Sequence, residues 1–136
     1  MHAQRDVAGD FTAVGPARHW ARDRLLEAGI EDSRLEMLVL LVSELVTNAV
    51  EHAWPPVVLS VDVDDERTRI AVSDATRDEP ILRMAPPEDD GGRGVWLIDL
   101  LASRWGTDVD PSDAKKTVWF ELRNDDEREV LRHFAR

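Results

Sequence analysis

The chain is 136 residues long, enough for one domain with a real hydrophobic core and short for two of ordinary size. Its 17 basic and 28 acidic side chains leave a formal charge of −11, so its own field opposes general binding to nucleic acid or to anionic membrane, and a polyanionic ligand needs a locally arranged site. The absence of cysteine excludes disulfides and thiolate metal sites; with no signal peptide and no apolar run near the ~18 residues of a membrane span, a cytoplasmic protein is expected.

In chain order, residues 1–10 are mixed and polar, and Phe11 to Val14 reads as a short edge strand before Gly15-Pro16. Pro16 suits the first turn of a helix. From Ala17 to Ala28 the apolar Trp20, Leu25 and Leu26 recur among Arg and Asp, which predicts an amphipathic helix stopped at Gly29. A second helix is predicted from Asp32 or Ser33, with Glu36 in capping-box spacing after Ser33, to about Ala53, where Pro55-Pro56 ends it. Then the period changes. Val57, Leu59, Val61 and Val63 alternate with Val58, Ser60, Asp62 and Asp64, and Arg69 to Ser73 follows the acidic turn Asp64-Asp65-Glu66, so a β-hairpin is predicted. Residues 75–92 are rich in Pro, Gly and charge and read as one long mobile loop. A third helix is predicted over Arg93 to Leu101, then strands over Ser103 to Val109 and Lys116 to Leu122. The tail, 123–136, is charged.

The chemistry begins on the second helix. Between Met37 and Val50 the one charged residue is Glu44, and Glu44, Asn48 and Glu51 fall within about 60° of arc at the edge of a broad apolar stripe. A carboxylate there is partly desolvated unless something answers it; the plainer reading makes it the solvated edge of a buried helix. Gly91, Gly92 and Gly94 allow backbone amides to approach an anion, and the helix they open adds its N-terminal partial charge. Taken alone, that loop reads sooner as a flexible hinge with no ligand. Asp74 ends a strand beside the loop, where its carboxylate can accept a hydrogen bond from an amino-bearing base. Lys115-Lys116-Thr117 opens the last strand, with the Thr117 hydroxyl expected to face the same cavity, although the segment is by itself an ordinary hairpin.

Together and in this order, these segments resemble the GHKL ATPase superfamily, and most closely its small branch, the anti-sigma-factor serine kinases. The resemblance covers roughly residues 11–122. Glu44-Leu-Val-Thr-Asn48 resembles the family's N-box, Asp74 the aspartate of its adenine box, Gly91-Gly92-Arg93-Gly94 the glycine box after the ATP lid (75–92), and Lys116-Thr117-Val-Trp the last-strand motif. The resemblance implies a single ATP-binding domain over 1–136 with an α/β two-layer sandwich fold: a mostly antiparallel, mixed sheet covered on one face by about three helices.

It further implies ATP and Mg2+ as cofactors. Asn48 would ligate the metal, and Asp74 would read the adenine amine, with Thr117 helping to bind the base. Gly91, Gly92 and Gly94 would cradle phosphates, with Arg93 as a counter-charge. Glu44 would be the general base that deprotonates a protein serine as it attacks the γ-phosphate. The implied partners are an anti-sigma-antagonist protein bearing that serine and a sigma factor held by a homodimer, with no direct nucleic acid and no membrane. Two positions depart from the family's pattern. Asp74-Ala75-Thr76 stands where D-x-G is usual, and Lys115 where the last motif often has glycine. Both lie on the base and ribose side, which keeps open an alternative: a nucleotide-binding regulatory or adaptor protein with little or no kinase activity.

Overall fold

The computed structural model of the protein describes residues 1–52, 55–75, 93–110, 112 and 115–124, and for residues 93–96 the backbone alone. The elements follow the order β1 (His2–Val7), a 3-10 turn (Phe11–Ala13), α1 (Val14–Glu27), α2 (Asp32–His52), β2 (Val57–Val63), β3 (Arg67–Asp74), α3 (Arg93–Leu101), β4 (Arg104–Asp110) and β5 (Lys115–Arg123).

The strands form one sheet in the order β1-β2-β3-β5-β4, and every neighbouring pair is antiparallel. Alternation gives the sheet two unlike faces. Val57, Leu59 and Val61 of β2, Ile70 and Val72 of β3, and Val118, Phe120 and Leu122 of β5 are buried, and they share one core with Leu25 of α1, Leu38, Leu41, Leu45 and Val46 of α2, and Ile98 of α3. All three helices therefore cover one side, giving the expected two-layer sandwich of a sheet under three helices, although the sheet, expected to be mixed, is antiparallel at every described pair.

Local chemistry explains the boundaries. Helix α1 ends in a Schellman arrangement: the Gly29 N–H donates to the Leu26 carbonyl (3.0 Å) and the Ile30 N–H to the Leu25 carbonyl (3.0 Å), with Gly29 at φ 90°. Helix α2 begins at Asp32, and the Glu31 carbonyl accepts the first bond, from the Leu35 N–H at 3.3 Å. The capping-box role expected of Glu36 is not used, because its carboxylate instead meets Arg22 of α1 at 2.9 Å. In the β2–β3 turn, Asp64 accepts hydrogen bonds from the N–H groups of Glu66 (2.8 Å) and Arg67 (2.9 Å). Those amides, Arg67 first, hold its carboxyl below the usual aspartate range.

The N-terminus differs from the sequence expectation. The edge strand is His2–Val7, paired with β2, and Phe11 to Ala13 is a 3-10 turn rather than a strand. Asp10 is the cause: its side chain accepts from the Thr12 N–H (2.9 Å) and its carbonyl from the Ala13 N–H (3.0 Å), which winds the backbone and leaves Phe11 exposed. Beyond Ala75 the loop, and beyond Asn124 the tail, lie outside the described residues, as do Ala53 and Trp54.

Candidate functional site

Helix α2 lies over β3, so residues spaced i, i+3, i+4 and i+7 along it face the sheet. Leu45, Asn48, Ala49 and His52 occupy those positions and, with Val72 and Asp74 of β3 and Lys116 and Val118 of β5, line one cavity. Leu45, Ala49, Val72 and Val118 make its apolar walls, and Asn48, His52, Asp74 and Lys116 bring polar groups to it.

Asp74 is the deepest of these polar groups, 4% exposed at the end of β3. It sits on the helix-facing side because it continues the run Ile70, Val72. Directly across the strand pair stands Lys116, whose Nζ lies 3.5 Å from Asp74 Oδ2; the two side chains are 12% and 3% exposed. As described, the cavity measures about 10 Å³, the room one water molecule takes.

Glu44 and Asn48 are both half-buried and stand one helical turn apart, Asn48 in the cavity wall and Glu44 farther along the helix. His52 lines the cavity and also meets Glu51 at 3.4 Å, the helix-end pairing its position favours. Thr117 is placed differently from the expectation. It pairs with Ser73, so strand alternation turns it to the sheet's other face together with Trp119 and Glu121. Lys116 takes the place expected for it.

Arg93 and Gly94 are the first two residues of α3, whose backbone begins where the glycine-rich segment ends. Gly91 and Gly92 lie outside the described residues, and Arg93 is described by its backbone alone.

Sequence reasoning did not single out Lys116 as a cavity residue. The signal was present: Val118, Phe120 and Leu122 mark the core face of β5, and a step of two from Val118 returns to Lys116. The aliphatic walls Leu45, Ala49, Val72 and Val118 were legible in the same way.

The donor set fits a magnesium nucleotide on the side of the cavity that is described. Among the described residues no three His, Cys, Asp or Glu side chains converge on a metal position. A cation at Asn48 would therefore share its coordination with phosphate oxygens and water, which is how Mg2+ is commonly held. A buried carboxylate between aliphatic walls is a suitable reader for an exocyclic amine. Two features stand against an easy fit: the cavity's present size of about 10 Å³ and the Lys116 ammonium beside that carboxylate.

An antiparallel sheet under three helices, with one helix standing over a buried sheet carboxylate, is the layout of the GHKL ATPases. The sequence model of the histidine kinase-like ATPase domain matches residues 7–122, and the chain belongs to that family. Among solved structures, the RsbU and RsbW domains of Rv1364c from Mycobacterium tuberculosis superpose with a TM-score of 0.67 at 20% identity, covering 90% of this chain and 32% of that one. The histidine kinase domain of the blue-light activated histidine kinase from Erythrobacter litoralis EL346 is 27% identical over 71% of this chain and 50% of that one, with a TM-score of 0.49. The chain thus spans half or less of either structure's length. No curated protein matches it.

Proposed function

We propose that this protein is an ATP-binding regulatory serine kinase of the anti-sigma type, which phosphorylates a serine of an anti-sigma-antagonist protein. The observation that carries the proposal is the placement of Asn48 in the wall of a cavity whose floor is the buried Asp74, with Glu44 one turn away on the same helix. Membership of the histidine kinase-like ATPase family supports the nucleotide. The likeness to a structure that includes an RsbW domain agrees with the fold of the anti-sigma branch.

In this reading Asn48 holds Mg2+, Asp74 accepts from the adenine amine, and Arg93 with the backbone of Gly91, Gly92 and Gly94 receives the phosphates at the start of α3. ATP supplies the phosphoryl group when bound. Glu44 accepts the proton of the attacking serine hydroxyl, and being one turn from Asn48 leaves its carboxylate near the metal position without being consumed as a ligand. The whole of residues 1–136 is taken as one such domain, acting in the cytoplasm as a homodimer that also holds a sigma factor.

A second reading, nucleotide binding with little or no phosphotransfer, is favoured by the Asp74–Lys116 ion pair at the base end of the cavity. Calorimetric titration with ATP at fixed Mg2+, beside an Asn48→Ala variant, tests the site. Saturable binding lost in the variant supports both readings, and transfer of labelled phosphate to an antagonist domain then separates them. No binding by the wild type refutes both.

A further inference from the structure

We propose that Lys116 is a tethered competitor for the base subsite: its ammonium holds the place opposite Asp74 that a nucleobase amine needs, and its displacement sets the protein's affinity for adenine nucleotides. This rests on the nucleotide reading above and goes beyond it by naming the residue that limits binding.

The geometry leaves little room for coexistence. Asp74 and Lys116 are cross-strand partners on the helix-facing side of the sheet, with Nζ 3.5 Å from Oδ2. Both are nearly shut off from solvent, at 3% and 12% side-chain exposure, and the space left beside them is about one water in size. An adenine ring between Leu45, Ala49, Val72 and Val118 must enlarge that space. The group beside Asp74 that can swing away is the Lys116 side chain, a flexible four-carbon stem, whereas Leu45, Ala49, Val72 and Val118 are packed in the core and Asn48 and His52 line the cavity from α2.

Chemistry reinforces sterics. An ammonium has three donors and no acceptor, and the exocyclic amine of adenine offers donors too. If Lys116 stays, its ammonium keeps the Oδ2 side of the carboxylate and the space beside it, and the amine is left with the remaining lone pairs in a cavity about one water in size. If it leaves, a nearly buried charge pair is broken before the base gains its hydrogen bond. Either route lowers affinity, and both act at the base end of the nucleotide, away from Asn48.

The test compares Mg-ATP binding by the wild type, Lys116→Met, which keeps the stem and loses the charge, and Lys116→Arg, which keeps a cation opposite Asp74. Inorganic tripolyphosphate serves as a probe that lacks the base. The proposal expects Lys116→Met to bind ATP about tenfold or more tightly than the wild type, Lys116→Arg to bind no more tightly, and tripolyphosphate to gain nothing. Thermal melts of each variant establish that it is folded, and should Lys116→Met fail to fold, Lys116→Gln replaces it with the same expectation. Equal or weaker ATP binding by the uncharged variant, with wild-type binding still dependent on Asn48, overturns the competitor and leaves the nucleotide site standing. A gain shared by tripolyphosphate overturns it too, because the effect would then lie at the phosphate end. Wild-type preference for GTP over ATP would make Lys116 a ligand for the purine 6-oxygen and overturn it. Absence of nucleotide binding by every form overturns both this inference and the reading on which it rests.

Discussion

The Trp119 indole covers Gly106 of the neighbouring strand so closely that a Cβ on Gly106 would come within 2.9 Å of Cζ2 and 3.2 Å of Cε2. The two residues are register partners of β4 and β5 on the sheet face away from the helices. Arg69 and Arg104 place their guanidinium groups 4.4 and 5.6 Å from the ring centroid, so the indole is confined from more than one direction. Gly106→Ala should therefore force the ring to shift and should lower stability by ~1–3 kcal/mol. A urea titration reads the loss, and an unchanged midpoint would show that the indole is free to move.

Under the same tryptophan's neighbour lies a crowded carboxylate. Glu121 is 4% exposed and has Arg69 at 3.3 Å and Arg67 and Arg104 each at 3.7 Å. Glu121→Gln removes the counter-ion shared by three guanidinium groups and leaves Arg69 with Asp108 at 4.0 Å. The arginines are partly exposed, which screens the effect, so a loss of ~1–3 kcal/mol is expected rather than the larger cost of a fully buried pair. Because the remaining repulsion is screened by salt, the loss should shrink between low and high ionic strength. A salt-independent loss would point to packing instead of charge.

Gly29 tests a purely conformational term. Its φ of 90° is a left-handed conformation, and a Cβ there would meet nothing within 4 Å. Gly29→Ala should cost ~1 kcal/mol from the backbone alone, and Gly29→Asn less, since Asn tolerates that region better. Thermal melts of the two variants rank them, and equal losses would contradict the conformational account.

Thr68 should behave in the opposite sense. It is fully buried on the core face of β3, opposite Leu122, and its hydroxyl has no hydrogen-bond partner among the described residues. Thr68→Val keeps the branched shape that a strand favours and removes the unsatisfied group, so a gain of ~1 kcal/mol is expected from chemical denaturation. A loss would mean that the hydroxyl is answered after all.

Most of the architecture was legible because period and punctuation agree. The stripe Leu38, Leu41, Leu45 with Gly29 before it, and the alternation Val57, Leu59, Val61, give α2 and β2 directly, and α3 falls on the predicted Arg93–Leu101. Strand β1 was not legible. Of its six residues only Val7 is buried, and an edge strand takes its register from β2 rather than from its own pattern. Within the site, Glu44 and Asn48 stood out as polar residues on an apolar helix. The base end was misplaced by one residue, because the motif drew attention to Thr117 while the alternation of β5 puts Lys116 in the cavity.

Glu44 separates binding from chemistry. Asn48 lines the cavity and Glu44 does not, although one helical turn joins them and both are half-buried. If Glu44 takes the proton from the acceptor serine, Glu44→Gln keeps the side chain's size and removes its basicity. ATP affinity should then stay within about twofold of the wild type, while phosphoryl transfer to the antagonist domain falls ~100-fold or more, the usual weight of a positioned general base. Asn48→Ala should instead lose binding first and transfer as a consequence. Both variants thus lose transfer, and they differ in whether ATP binding survives, which calorimetry beside single-turnover phosphate transfer distinguishes. Loss of ATP binding in Glu44→Gln would move Glu44 from proton acceptor to nucleotide ligand, and full transfer activity in that variant would remove it from the chemistry altogether.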